Sequence, residues 1–426
     1  MDDAAAPPER PRGAGGASEA TVASDLRDRV RAVMEAHWRE VDGAGFTVPN
    51  ATVYPWQWLW DSCFHSIIWA ELGDGDRAVR ELQSLFAHQD DDGFVPHVTH
   101  HGRPDFHADF WGRRGTSSIT QPPMYGHALA ELERRGIAVP AELVDRARAG
   151  LEFLLRVRRR DDESGLITVV HPWETGADNS PRWDDFCPGG FDVTRWKQVK
   201  GDLLATVERT AGGAPVANPA FPVAPVSFNA LVAFNTWELG HLASEDDEPL
   251  WGMGRILLEL SVRVDDRWDE GLATWVDGGP SAGGSGRART SDAILATLTR
   301  GPEDREARAF AELFEPSAFG AAYGPTQVHR AEPSFDPRGY WRGATWPQVN
   351  YLHWVSALAP GREHGRRLHA EADRIAVSTV AGATASGLAE YWDPDTGAGL
   401  GAVPQSWTGL ALVLAAEPQQ TREAPG

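Results

Sequence analysis

The chain has 426 residues, 42% of them hydrophobic, and its 61 Asp and Glu against 40 Lys and Arg give a formal charge of −21. A surface that acidic repels phosphodiester backbones and offers no basic amphipathic stretch to anionic lipid, and no apolar run reaches membrane-spanning length, so nucleic-acid and membrane partners are excluded. Cys63 and Cys187 stand too far apart for a disulfide framework, and each reads as a small buried hydrophobe.

Residues 1–23 are rich in Ala, Pro, Gly and charge and read as a disordered tail. They show neither an apolar h-region nor a twin arginine, so a cytoplasmic location is the default. From Ser24 a helical stripe begins with Leu26, Val30, Val33, Trp38 and Val41 and stops at Asp42 and Gly43. The same period returns at Phe64 to Leu72, Ala78 to Phe86, Leu143 to Leu155, Met253 to Leu260, Ala307 to Phe314 and Leu368 to Ala376. Residues 122–134, 227–243, 286–299, 344–358 and 405–416 fit it too, giving about a dozen helices. Strand signals are short, such as LITVV before His171. Nothing divides the chain: residues 24–417 read as one helical domain, and 418–426 as a flexible C-terminal tail. The Pro/Ala-rich segment 211–226 and the glycine-rich segment 277–286 read as loops, the latter as a flexible connection in preference to a lid. Helices paired this way form αα-hairpins, which close either as a solenoid or as a ring. Oligomeric state is not legible, and a homo-oligomer is compatible with the sequence.

Eighteen tryptophans against six tyrosines point to unusually large core side chains or to flat surfaces for a ligand. Four stretches mix these rings with carboxyl or amide groups. YPWQWLWDS carries Tyr54, Trp58 and Asp61, with helix capping as the plainer role for Asp61. HPWETGADNSPRWDD carries Trp173, Glu174, Asp178, Trp183, Asp184 and Asp185 on a chain bent at Gly176, with Ser180 and Pro181 suited to start a helix. YWRGATWPQ sets Tyr340, Trp341, Arg342 and Trp346 around Gly343, and AEYWDPDTG with PQSW brings Glu390, Tyr391, Trp392, Gln405 and Trp407.

Sugars present an apolar C–H face and a rim of hydroxyls, so aromatic platforms beside Asp, Arg and Gln suit them. Cleaving a glycosidic bond then takes two carboxyls, one protonated to assist the leaving oxygen and one ionised. Asp178 and Glu390 form the candidate pair. They are 212 positions apart and converge only if the helices close on themselves, which favours the ring. Burial against Trp173 would raise the pKa of one of them. Trp56, Trp60 and Trp407 read as core, and His65 and His97 as structural histidines.

The motifs WLWDS, ETGADNSPRWD, YWRGATWPQVNY and AEYWDPDTG through PQSW resemble those of glycoside hydrolase family 63 and its relatives, in particular bacterial mannosylglycerate and glucosylglycerate hydrolases, over roughly residues 24–416. The resemblance implies an all-α (α/α)6 toroid, no cofactor, no obligatory metal, and hydrolysis of small α-glycosides with inversion. It implies Asp178 as general acid, Glu390 as general base, and a sugar pocket lined by Tyr54, Trp58, Asp61, Gln121, Trp173, Tyr340, Trp341, Trp346 and Gln405, with Arg342 and Gly343 in the same motif. Inversion calls for carboxyls about 6.5–9.5 Å apart. The acidic stretch Asp90 to His97 has no calcium-loop spacing. One departure concerns the leaving group: segment 211–226 has no Arg, Lys or Tyr to hold a glycerate carboxylate. Arg195, Lys197, Lys200 and Arg209 lie upstream, with surface roles expected. A sugar-binding protein without catalysis is the alternative. A terpenoid-type α/α barrel ranks last because its DDxxD and DxDD patterns do not appear at Asp161-Asp162 or Asp184-Asp185.

Overall fold

The structure is a computed structural model and describes residues 19–242, 248–359 and 368–416. Its helices are α1 (Glu19–His37), α2 (Leu59–Glu71), α3 (Gly75–Phe86), α4 (Ala108–Trp111), α5 (Tyr125–Arg134), α6 (Ala141–Arg156) and α7 (Val193–Leu204). There follow α8 (Val226–Gly240), α9 (Glu248–Asp265), α10 (Glu303–Phe314), α11 (Pro347–Leu358), α12 (His369–Ala385) and α13 (Leu410–Ala416). Strands among the described residues occur only as two-stranded antiparallel ribbons.

Two kinds of helix result from two kinds of sequence. In α2 every residue from Leu59 to Ala70 is buried, and α8 and α11 are buried almost or entirely all round, as helices apolar on every face must be. Each fully enclosed Leu, Ile or Phe contributes about 1.5–3 kcal/mol. Both serines of α2 bond within the protein: Ser62 Oγ donates to Glu81 at 2.7 Å and Ser66 Oγ to the Ala78 carbonyl at 2.8 Å. By contrast α3, capped by Asp74 accepting from the Arg77 amide at 3.0 Å, buries Ala78, Leu82 and Leu85 and turns Arg77 and Arg80 outward.

The inner helices contact one another in a cycle. α2 packs on α5, α5 on α8, α8 on the 3-10 helix Ser291–Thr299, that helix on α11, α11 on α13, and α13 back on α2. α3, α6, α9, α10, α12 and α1 pack outside them. The ribbons Gln57–Trp58 with Val98–Thr99 and Tyr391–Trp392 with Gly399–Leu400 adjoin the ring and carry motif residues.

Several expectations are corrected. α1 begins at Glu19, inside the stretch read as a tail, while residues 1–18 and the C-terminal tail 418–426 lie outside the described residues. LITVV forms only isolated bridges, Ile167 with Arg160 and Val169 with Val223. Helix α7 was not anticipated, and the stretch near 286–299 is 3-10 rather than α. Segment 277–286 is anchored, not loose: Asp277 is enclosed and paired to Arg182, and the Ser285 amide donates to Asp185 at 2.8 Å.

Candidate active site

The loop His171–Asp178 is held at both ends. His171 Nε2 donates to the Lys200 carbonyl at 2.8 Å while its Nδ1 accepts from the Trp173 amide at 3.1 Å, and burial lowers its pKa to about 3, so the ring is neutral. Glu174 is no acid or base for a substrate. It is fully enclosed and accepts from the Thr120 and Val170 amides at 3.1 and 2.8 Å and from Arg158 at 3.0 and 2.6 Å. Gly176 has φ +73° and sits so close to Trp60 that a Cβ would come within 2.5 Å of the indole. Beyond it, Trp183 Nε1 donates to the Ala177 carbonyl at 2.7 Å and Trp196 Nε1 to the Asp178 carbonyl at 2.8 Å. Asp178 is thus presented on clamped backbone. Ser180 caps the following turn, which is a 3-10 helix, Pro181–Phe186.

Glu390 comes from the opposite end of the sequence. Its backbone pairs with Ala402, whose amide also donates to Glu390 Oε2 at 2.9 Å, while Tyr54 Oη donates to Oε1 at 3.0 Å. Gly401 lets the chain pass, since a Cβ there would fall 2.3 Å from Oε2. Tyr340 lines the same cavity and lies beside both Asp178 and Tyr54, its hydroxyl favouring the ionised form of each.

Both carboxyls line one cavity of about 260 Å³, together with Tyr54, Trp58, Asp61, Gln121, Trp173, Tyr340 and Gln405. At this size, near the low end of roughly 300–1,000 Å³ for ligand pockets, it suits one sugar ring with a small appendage. Burial, the dominant cause, raises Asp178 to about 6 and Glu390 to about 7. The nearby Lys200 ammonium and the Tyr340 hydroxyl draw Asp178 down; the Ala402 amide and Tyr54 draw Glu390 down, and the Asp178 charge pushes it up. Asp61, in the first turn of α2 and not its cap, is held well above the usual carboxylate range, first by burial.

Four residues expected on the wall are elsewhere. Trp341, with left-handed backbone at φ +60°, turns inward and stacks on Trp346 at 3.8 Å, and Trp346 stacks on Tyr391 at 4.5 Å, making a layer behind Tyr340. Arg342 reaches Asp184 with two bonds of 2.9 and 2.8 Å and the Asn179 carbonyl at 3.1 Å, which ties this motif to the loop carrying Asp178. Gly343 abuts the Asp336 carbonyl, where a Cβ would come within 2.3 Å. Conversely Trp60, Trp407 and His97, assigned to structure, line the cavity, as do Pro49, Trp111 and Gly176. Trp56 is half-buried against His100 and Phe106, and His65 is buried against Ser406.

Lys200 was expected at the surface and is buried, its ammonium donating to Asn179 Oδ1 at 3.0 Å and lying over Trp173. Arg195 bonds the Pro188 and Gly190 carbonyls, and Arg209 the Ser118 carbonyl. Asp90 pairs with Arg113. Cys63 and Cys187 are free and buried. Among the described residues no group of three or more His, Cys, Asp or Glu is placed to hold a metal, and no helix is long and apolar enough to cross a membrane.

The pattern of the mannosylglycerate hydrolase MGH1-like glycoside hydrolase domain matches residues 54–408. A mannosylglycerate hydrolase of Thermus thermophilus is 31% identical over 413 residues, spanning 87% of this chain and 96% of that protein. A glucosylglycerate hydrolase of Mycolicibacterium hassiacum is 29% identical over 437 residues, spanning 86% and 93%. The crystal structure of the GH63 mannosylglycerate hydrolase of Thermus thermophilus in complex with Tris and D-glycerate superposes with a TM-score of 0.75 at 27% identity, over 92% of this chain and 99% of that one. Neutral trehalase of Saccharomyces cerevisiae shares the fold, with a TM-score of 0.58 at 14% identity over 88% of this chain and 73% of that one. This match across most of its length makes the chain a member of the mannosylglycerate hydrolase MGH1-like family of GH63 glycoside hydrolases.

Proposed function

We propose that the protein hydrolyses a small α-glucoside or α-mannoside with inversion, on an (α/α)6 toroid of which the cycle of inner helices is the support. The observation that carries the reading is that Asp178 and Glu390 enter one cavity, with Tyr54 donating to Glu390 and Tyr340 beside Asp178. Asp178 protonates the glycosidic oxygen, and Glu390 takes a proton from water attacking the opposite face of the sugar. With values of about 6 and 7 and mutual repulsion, the pair carries one proton over a window near neutrality, the state this chemistry needs. In the hydrolase reading that proton sits on Asp178, from which the glycoside's bridging oxygen accepts, while the water donates to ionised Glu390.

Proton NMR of freshly cleaved α-glucosides and α-mannosides tests this, with the β-anomer expected first. An α-anomer first excludes inversion. Release of no free sugar from any member of the panel leaves the non-catalytic sugar-binding reading.

A further inference from the structure

One turn beyond Asp61 on α2, His65 is fully enclosed and shares a hydrogen bond of 2.6 Å, Nε2 to Oγ, with Ser406, 341 positions away. The other edge of its ring faces Glu81, with Nδ1 3.8 Å from Oε1, and Glu81 is itself fixed by the Ser62 hydroxyl and the Thr47 amide, each at 2.7 Å. Glu81, His65 and Ser406 stand in the order of an acid–base–nucleophile triad. None of the three is more than 1% exposed, so no substrate reaches the serine and the line is not a second catalytic centre.

Its significance lies in what Ser406 holds. The Ser406 amide donates to the Pro49 carbonyl at 3.0 Å, and the hydroxyl lies 3.1 Å from the same oxygen. Gln405 before it and Trp407 after it line the cavity, as does Pro49. Trp407 Nε1 donates to the Glu390 carbonyl at 3.1 Å, the Gln405 amide to the Leu388 carbonyl at 2.8 Å, and Thr408 Oγ1 to the Ala389 carbonyl at 2.7 Å. The backbone bearing Glu390 therefore hangs on residues 405–408, and the hydrogen bond from His65 ties that segment to the helix bearing Asp61. Asp178 is clamped separately, by Trp183 and Trp196. The spacing of the two carboxyls thus depends on two independent anchors, one of which is the His65–Ser406 bond.

Resting on the hydrolase reading above, we propose that His65 is a positioning residue: acting through Ser406, it fixes Glu390 at the place from which the base reaches the attacking water. A misplacement of about 1 Å there costs on the order of 10²-fold in rate.

The test compares His65→Leu, His65→Gln and Ser406→Ala on the α-glycosides that the parent cleaves, at a temperature where circular dichroism shows each variant folded. Leucine removes the bond and is expected to lower kcat about 10–100-fold while KM changes less than about threefold, because Trp58, Asp61, Gln121 and Trp173 stay on their own elements. Glutamine, whose amide offers a donor or an acceptor at the Nε2 position, is expected to recover most of that loss. Ser406→Ala, the milder change should leucine unfold the core, is expected to give the same drop in kcat, and the double variant His65→Leu/Ser406→Ala no larger one. Additive losses overturn the inference, as does a parental kcat in folded variants whose only change is a lower urea midpoint. A crystal structure of the Ser406→Ala variant reads the same point without turnover: the Glu390 carboxyl is expected to shift by about 1 Å, and an unmoved carboxyl overturns the inference. A parent that releases no sugar from any α-glycoside sinks the hydrolase reading alone, since that shift remains measurable.

Discussion

Tyr54 and Glu390, 336 positions apart, meet through a phenol hydrogen donated at 3.0 Å to a carboxylate oxygen. The bond favours the ionised carboxylate and opposes the burial that raises Glu390 to about 7. Tyr54→Phe removes it, so the pKa of Glu390 rises and the acidic limb of the kcat/KM profile moves to higher pH. At neutral pH the loss of about 1.5 kcal/mol corresponds to a roughly tenfold drop in rate. A profile that falls uniformly without moving would contradict this account of Tyr54.

Glu390→Gln tests linkage as well as chemistry. Because the folded pKa is raised, the native chain keeps a proton that the unfolded chain loses, so stability falls as pH rises from about 4.5 to about 7. The cost above that window is about 3 kcal/mol for a side chain only 2% exposed. The glutamine variant is expected to resist urea better than the parent at pH 8, with the advantage gone at pH 4, while kcat drops by about 10²–10⁴-fold. A variant less stable than the parent at pH 8 would contradict the burial cost.

Lys200→Met bears on the other carboxyl. Lys200 draws Asp178 down toward about 6, so without it the aspartic acid keeps its proton to higher pH. The alkaline limb of kcat/KM shifts upward, a change that loss of packing alone would not produce. Initial rates between pH 6 and 9 provide the readout.

Glu174→Ala addresses the support beneath Asp178. It strands the buried Arg158 guanidinium, whose partner accepted two of its N–H groups, and a broken enclosed pair costs about 3–5 kcal/mol. The unfolding free energy from urea titration is expected to fall by that amount, through a lower midpoint with the slope unchanged. A loss under 1 kcal/mol would show that the loop is fixed by its tryptophan clamps instead.

The outer helices announce themselves because one face meets solvent: Ala78, Leu82 and Leu85 alternate with Arg77 and Arg80. α8 has no polar face, so its limits follow from Pro225 before it and the chain beyond Gly240. The readable motifs supplied both carboxyls and much of the wall, since Trp and Tyr beside Asp or Glu at irregular spacing break the helical period. Trp60 belongs to the core as its sequence suggests and lines the cavity as well, because the strand ends at Trp58 and the helix starts at Leu59, which re-aims every later ring. α7 had a legible start, Asp192 capping Arg195 at 2.8 Å, with Val193, Trp196, Val199 and Leu203 at helical spacing. Overlooking it left Lys200 assigned to the surface. Trp341 could not have been placed, because its inward turn depends on a left-handed backbone that sequence does not favour for tryptophan.

Packing of α13 against α2 has a consequence during biosynthesis. At about 5–20 residues per second, the intervening residues 72–409 take roughly 20–70 s to leave the ribosome. Throughout that interval α2, enclosed on every side in the folded chain, lacks the neighbour that completes its enclosure. The face of α2 that α13 covers is therefore among the last parts of the core to be closed, after nearly all of the domain has been made.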